Sequence, residues 1–474
     1  MASTAPAAPG PAGLGLKTCL ALLGVALAVR AVVAVGTDVY FDTAYYWQWA
    51  QRLDWGYYDH PPLIAWLIAL LGIHGTALLC GVGTLAAVWG LARDVYQSRE
   101  AAWRAAALWS VVPGGMVAGI WATPDSPLLL FWTLALWALW RERWLWAGLA
   151  SGLALLAKFP AVLLGIAFLI TALKARRLPW GAWGTGAIAA VFLVPVLLWN
   201  ARHDWVGILF QLRHGLDGQG GWRTLGDFIV GQFAFGGPVL ALLALVYAVR
   251  GPREHFLLRM AALVPLLFFG YAASRARSEV NWATMAYLSV CVGVAGMSRL
   301  WQRTAAFSGL AVVLGVSFHL FFPLMSFKRD TTLWRTHGWE VLSALATPEK
   351  LFPEMKPGSV AAVFTGNYQL ASAVALHARV PVGTAGPVRF SQYDVWPEPV
   401  VPPGGDVLWV EEDGPFAPSA LTDRFEAMEE PVELVGHFKG RVLHPFRVWW
   451  LRSARPAPPS PATPVPDGEN QSHR

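Results

Sequence analysis

The sequence predicts an all-α polytopic membrane protein with a small α/β domain towards its C-terminal end. Of its 474 residues, 55% are hydrophobic and only 14% are charged, and the mean hydropathy is +0.44. An ordinary soluble domain carries about 25% charged residues. The apolar residues are gathered into blocks of roughly 18 or more, the length a helix needs to cross a hydrocarbon core of about 30 Å. A soluble globule is therefore excluded. After Ser326 the composition turns mixed and polar, with Pro and Gly punctuating short strand-like runs. The net charge of +6 does not point to nucleic acid, because Lys and Arg stand mostly in short loops between apolar blocks, where they fix topology and meet lipid headgroups. Membrane lipids are the expected partners, and no nucleic acid is. Cys19, Cys80 and Cys291 fall inside apolar blocks with no paired or metal-ligand spacing, and read as small buried hydrophobes.

Residues 1–15 are uncharged Ala, Pro and Gly and are expected to be disordered. The run from Thr18 to Val35 is long for the core of a cleavable signal, and Arg30 interrupts its far end. It predicts an uncleaved first span with a cytoplasmic N-terminus. Residues 37–74 follow as the first outer loop, where four aspartates lie among many Trp and Tyr, as they would at an aromatic interface belt. Within it, Leu63–Leu71 is too short to span and predicts an interfacial or re-entrant helix. Further spans are expected over Gly75–Ala92, Ala105–Trp121, Ser126–Trp140, Gly181–Trp199, Asp227–Val249, Phe256–Ala273, Trp282–Met297 and Thr304–Met325. Trp144–Leu173 is basic at both ends, so its break at Lys158-Phe159-Pro160 predicts two short helices meeting near the outer face.

The sum is about 11 transmembrane helices within 16–325, an odd number that puts the C-terminal domain outside. The loops assigned to the cytoplasm carry twice as many Lys and Arg as the outer ones, which supports that orientation. The outer α/β domain is expected over 326–454, with strands at Val360–Phe364, Val407–Val410 and Phe446–Leu451 and a helix over Tyr368–Ala378. Residues 455–474 are rich in Pro and Ser and are expected to be disordered.

Charged groups close to a membrane are costly and tend to be functional, so the outer loops are read first. Asp42 follows Phe41 and precedes Tyr45-Tyr46-Trp47, where a desolvated carboxylate could act as a general base; it could equally cap the helix it opens. In Asp59-His60-Pro61-Pro62 the two prolines fix the backbone after a carboxylate and an imidazole, as a ligand site or a simple turn would require. Asp125, in Thr123-Pro124-Asp125-Ser126-Pro127, stands at the outer start of a span as a site carboxylate or a helix cap. Lys158 lies between apolar half-helices and needs an anionic partner, such as a lipid phosphate, or a snorkelling route. Arg275 and Arg277, followed by Glu279, suit fork-like phosphate recognition as well as headgroup anchoring.

Taken together, these residues carry a resemblance. Asp42-Thr43-Ala44-Tyr45-Tyr46-Trp47 with Asp54-Trp55-Gly56-Tyr57-Tyr58-Asp59-His60-Pro61-Pro62 resembles the first outer loop of the bacterial GT-C glycosyltransferases related to protein O-mannosyltransferases and lipid A aminoarabinose transferases. Thr123-Pro124-Asp125-Ser126-Pro127, Leu156-Ala157-Lys158-Phe159, Trp199-Asn200 with His203-Asp204-Trp205, and Asn281-Trp282 continue the likeness in order, and Gln392-Tyr393-Asp394-Val395-Trp396 is similar to a stretch of that group's outer domain. The match covers about residues 16 to 400. Two positions depart from the group's usual pattern. Thr43 stands where an acidic residue is usual, and Asn281 where His is usual.

The resemblance implies a GT-C enzyme of the bacterial inner membrane that moves a hexosyl or pentosyl sugar, with inversion, from a polyprenyl-phosphate carrier to a lipid, glycan or protein acceptor on the outer face, in glycosylation of the cell envelope. It implies that Asp42 is the catalytic base and Asp125 a second catalytic carboxylate. His60, Lys158, Arg275 and Arg277 would then receive the donor phosphate, and Tyr45, Tyr46 and Tyr58 would bind substrate. No tightly bound cofactor is implied; a divalent metal ion, if used, would fall to Asp59 and Glu279. Two rival readings share these residues: a transporter or flippase of lipid-linked sugars, which needs no base, and an inactive relative serving as an assembly partner.

Overall fold

The structure, a computed structural model, describes residues 13–216, 218–323, 325, 330–386, 389–412 and 418–456. The expected disordered ends lie outside the described residues except at their inner edges. The chain divides into two compact units, Met1–Thr336 and His337–Arg474.

The first unit is helical. In order it comprises α1 (Leu16–Gly36), α2 (Phe41–Gln51), α3 (Leu63–Tyr96), α4 (Arg99–Ser110), α5 (Pro113–Ala118), α6 (Asp125–Trp140), α7 (Trp144–Ala157) and α8 (Val162–Lys174). Then come α9 (Trp180–Arg202), α10 (Val206–Leu216), α11 (Trp222–Phe235), α12 (Pro238–Arg250), α13 (Phe256–Arg275), α14 (Ala286–Ala295), α15 (Arg299–Phe321) and the single turn α16 (Thr331–Trp334). By length and composition, five stretches among the described residues are long and apolar enough to cross a membrane, in α1, α3, α9, α13 and α15. The shorter apolar helices α6, α7, α8 and α14 pack among them.

Chain breaks, more than hydropathy, decide this unit. The expected span Ala105–Trp121 is two pieces, because Pro113 cannot donate to a continuing helix and holds Val112 extended, so α4 stops at Ser110. The expected span Asp227–Val249 is likewise bent by 108° between α11 and α12. There Gly237 sits at φ +88° and Pro238 opens the new helix. The expected break at Lys158-Phe159-Pro160 is present, with Lys158 extended between α7 and a 3-10 turn at Phe159–Ala161. Leu63–Leu71 joins α3 rather than standing alone, but Gly72 (φ +70°) interrupts the helix directly after it. α10, in the loop after α9, is not foreshadowed by hydropathy. Gly148 of α7 leaves room for Ile188 of α9, where a Cβ would stand 2.8 Å from the Ile188 Cβ.

The second unit holds a six-stranded sheet in the order β2-β1-β3-β6-β4, with β5 also paired to β6. Its strands are β1 (Val360–Thr365), β2 (Val382–Thr384), β3 (Asp406–Glu412), β4 (Phe425–Met428), β5 (Val432–Phe438) and β6 (Arg441–Ala454). β1 runs parallel to β2 and β3, and β6 antiparallel to β3. The crossover from β1 to β2 is α17 (Tyr368–Ala378), whose N-cap Asn367 accepts from the Leu370 N–H at 2.8 Å. Val407, Leu408, Trp409 and Val410 are all buried, so this central strand reads as a continuous apolar run. Trp339 is enclosed and lies 4.1 Å from the His444 ring, which bonds Glu412 at 2.8 Å and the His337 carbonyl at 3.0 Å.

Gly338, between those two residues, has φ +85°, and a Cβ there would stand 3.0 Å from the His444 ring. Gly338→Ala is therefore expected to destabilise the C-terminal unit by about 1–2 kcal/mol through the left-handed backbone alone. Pulse proteolysis of the full chain across a urea series measures this as a lower midpoint; an unshifted midpoint would show that the turn relaxes freely.

Candidate active site

The link from α1 to α2 meets the end of the helical unit. The Asp38 N–H donates to the Thr336 carbonyl at 2.8 Å, and the Arg335 guanidinium donates to the Tyr40 hydroxyl at 3.0 Å. Arg335 also lies over the Phe41 ring at 5.2 Å, and the Tyr40 ring lies 5.4 Å from Trp121. Burial pushes the Tyr40 phenol well above its ordinary range; the carboxylates of Asp42 and Glu279 push it the same way, and Arg335 opposes them. Arg335 is thus bound to Tyr40 directly, and Asp42 and Glu279 act on it through their charge. Sequence reading picked out two of these and missed Tyr40 and Arg335, which stand 295 residues apart.

Asp42 sits half-buried in the first turn of α2, where the helix dipole favours a carboxylate. Tyr45 follows three residues later on the same face. Its hydroxyl donates to Asp59 at 2.7 Å, and both residues are buried. The Gln211 side-chain amide, from α10, donates to the Asp59 carbonyl. Tyr57 stacks on Trp49 at 4.3 Å, and its hydroxyl accepts from the Asp54 N–H at 2.9 Å. Tyr58 packs on Phe210 of α10 at 4.6 Å, and Tyr46 lies 6.1 Å from the His60 ring. Tyr45, Tyr46 and Tyr58 are all buried, so they form the wall of the first loop. α10 braces that wall from outside, a contact between distant segments that no local pattern announces.

The third group is built on Asp125, the first residue of α6. The Ser126 hydroxyl fixes the approach by donating to the Ala118 carbonyl at 2.6 Å. The Lys158 ammonium donates to one Asp125 oxygen at 2.8 Å, and the Asn281 side-chain amide donates to the other at 2.7 Å. The Lys158 and Asp125 side chains are only 7% and 12% exposed. Asn281 lies two residues beyond Glu279 in the short segment between α13 and α14. In the sequence Asn281 shows only as a departure from the usual His; the structure gives it a carboxylate to hold. Arg275 and Arg277 are exposed. Arg277 comes within 3.9 Å of Glu279, and neither arginine bonds to Lys158, Asp125 or Asn281. No group of three or more His, Cys, Asp or Glu side chains that could hold a metal ion occurs among the described residues.

The fold as a whole has solved counterparts. ArnT from Cupriavidus metallidurans, in its apo state, matches with a TM-score of 0.59 over 91% of this chain and 98% of ArnT, at 16% identity. The same protein bound to undecaprenyl phosphate matches over 92% and 98%, with the same TM-score. This chain has the GT-C glycosyltransferase fold. A family model described as dolichyl-phosphate-mannose-protein mannosyltransferase matches residues 59–199, the stretch that carries Asp59, His60, Asp125 and Lys158. The lipid A galacturonosyltransferase RgtD of Rhizobium johnstonii is 28% identical over 466 residues, covering 87% of this chain and 93% of RgtD. The resemblance to GT-C glycosyltransferases read from the loop motifs is borne out by these three likenesses.

Within this GT-C fold the Asp125–Lys158 pair is a structural commitment as well as a chemical one. Lys158→Met leaves a buried carboxylate with one partner instead of two, and is expected to destabilise the helical unit by about 3–5 kcal/mol. Asp125→Leu combined with Lys158→Met removes both charges and is expected to restore part of that loss. Thermal unfolding of the purified variants compares them; a single variant as stable as wild type would show that the pair is solvated.

Proposed function

We propose that the protein is an inverting glycosyltransferase of the bacterial inner membrane, which moves a sugar from a polyprenyl-phosphate carrier to a lipid acceptor on the outer face. The observation that carries this reading is the buried Asp125, held at one oxygen by Lys158 at 2.8 Å and at the other by Asn281 at 2.7 Å. Support for the donor comes from ArnT, solved with undecaprenyl phosphate, and for a lipid acceptor from RgtD, named for lipid A. A protein acceptor is named only in the description of the family model over residues 59–199, and a glycan acceptor has no such support.

In this mechanism Asp42 takes the proton from the acceptor hydroxyl as its oxygen attacks the anomeric carbon. The lipid phosphate leaves from the opposite face, in a single displacement without a covalent enzyme intermediate. The reacting carbon gains oxocarbenium character, and Asp125, fixed by Lys158 and Asn281, is placed to complement that charge. His60, Lys158, Arg275 and Arg277 are assigned to the donor phosphate, with Lys158 sharing its ammonium between Asp125 and the phosphate. Tyr45, Tyr46 and Tyr58 wall the substrate space. No step in this mechanism is routed through a metal ion. Around 11 spans with an outer C-terminal domain remain our reading of the topology.

The breaks after Ser110, at Lys158 and at Gly237 also suit a flippase, whose substrate sites form at interrupted helices. A flippase moves the donor across a vesicle bilayer intact, whereas a transferase releases polyprenyl phosphate.

Asp42→Asn keeps the shape of the side chain and removes the base, so it is expected to abolish release of polyprenyl phosphate from polyprenyl-phosphate sugars while leaving the melting temperature unchanged. Retention of most of the wild-type rate would sink Asp42 as the base. The topology is checked by Pro403→Cys, at an exposed turn before β3. That thiol is expected to react with an impermeant maleimide in intact spheroplasts, and labelling only after lysis would place the domain on the inner side.

A further inference from the structure

Arg30 lies on the buried face of α1, in line with Cys19, Leu22, Leu23, Ala26 and Val33, and is only 8% exposed. Its Nη2 makes one long hydrogen bond, 3.3 Å, to the Ser110 carbonyl at the end of α4. Its Nε is enclosed and has no partner, and no carboxylate among the described residues pairs with it. A guanidinium inside a membrane span without a counter-ion is unusual, because such groups ordinarily pair with an acid or line a path for an anion.

Its place in the unit suggests which anion. Arg30 is six residues, about 9 Å, below the end of α1 that leads to Tyr40 and Asp42. Its guanidinium carbon lies 3.7 Å from where a Gly119 side chain would begin. Gly119 opens the connection to Trp121, which packs on Tyr40, and to Asp125. Lys158, assigned above to the same phosphate, already gives its ammonium to Asp125, and Arg335 donates to the Tyr40 hydroxyl.

We propose that Arg30 is a phosphate-binding residue that receives the lipid-borne phosphate of the donor as the sugar departs. At the depth of a span, the anion able to approach is one carried by a lipid chain, and the planar guanidinium matches a phosphate with two parallel donors. The proposal rests on the transferase reading above, and it gives that reading a cation the sequence motifs do not include.

The test uses full-length protein in phosphatidylcholine nanodiscs, titrated with farnesyl phosphate, with farnesol and with inorganic phosphate. Wild type is expected to prefer farnesyl phosphate over farnesol and to bind inorganic phosphate far more weakly. Arg30→Gln retains an N–H for the Ser110 carbonyl but loses the charge. It is expected to weaken farnesyl phosphate at least tenfold, leaving farnesol affinity and the melting temperature in place. Arg30→Lys, which keeps the charge but not the fork, is expected to retain part of the preference for the phosphate. Undiminished farnesyl phosphate affinity in Arg30→Gln would overturn the proposal, as would loss of the preference in a folded Arg30→Lys. A lower melting temperature in Arg30→Gln with unchanged affinity would reduce Arg30 to a cap for α4. If wild type itself does not distinguish farnesyl phosphate from farnesol, the transferase reading fails, not the Arg30 assignment alone. Inorganic phosphate binding as tightly as farnesyl phosphate would refute a lipid-borne ligand.

Discussion

A carboxylate buried among membrane helices must have its charge met, and Asp125 shows what that demands of the chain. One oxygen takes the Lys158 ammonium and the other the Asn281 amide, so three segments far apart in sequence are pinned to one point. The lysine can reach because α7 stops at Ala157 and Pro160 prevents its resumption, leaving Lys158 extended. Asn281 can reach because α13 ends at Arg275 and a 3-10 turn, Val280–Ala283, precedes α14. Helix breaks that weaken the bundle as an assembly of spans therefore supply the backbone freedom that builds the polar centre.

The same economy runs through the first loop. Asp59 is satisfied by Tyr45, and the aromatic layer of Trp49 and Tyr57 clamps α2 to the segment before α3. Asp42 lies half-buried in the first turn of the helix that carries Tyr45 and Trp49. Asp59 and Asp125 are thus each held by a donor from another segment of the chain.

Local signals made several parts of this legible in the sequence. The Lys158-Phe159-Pro160 break, α17 over Tyr368–Ala378, and the strands at Val360 and Val407 follow from proline, periodicity and β-branched runs, and each is present. Hydropathy alone ran Ala105–Trp121 and Asp227–Val249 together, because an apolar window averages over Pro113 and over Gly237-Pro238. Contacts across the chain stayed out of reach. Nothing near Arg335 in the sequence names Tyr40 as its partner, and nothing near Asn281 names Asp125. The candidate acids were visible as residue types; the partners that hold Asp59 and Asp125 depended on tertiary placement.

The central claim is a single displacement at the anomeric carbon, driven by one base and a departing lipid phosphate. It is tested most directly by the anomeric configuration of the product. The wild-type protein, reconstituted in vesicles with a polyprenyl-phosphate sugar of known configuration and lipid A as acceptor, is followed by NMR of the anomeric proton. The account predicts a glycosylated lipid with the configuration inverted, formed in step with free polyprenyl phosphate. A product of retained configuration would contradict it.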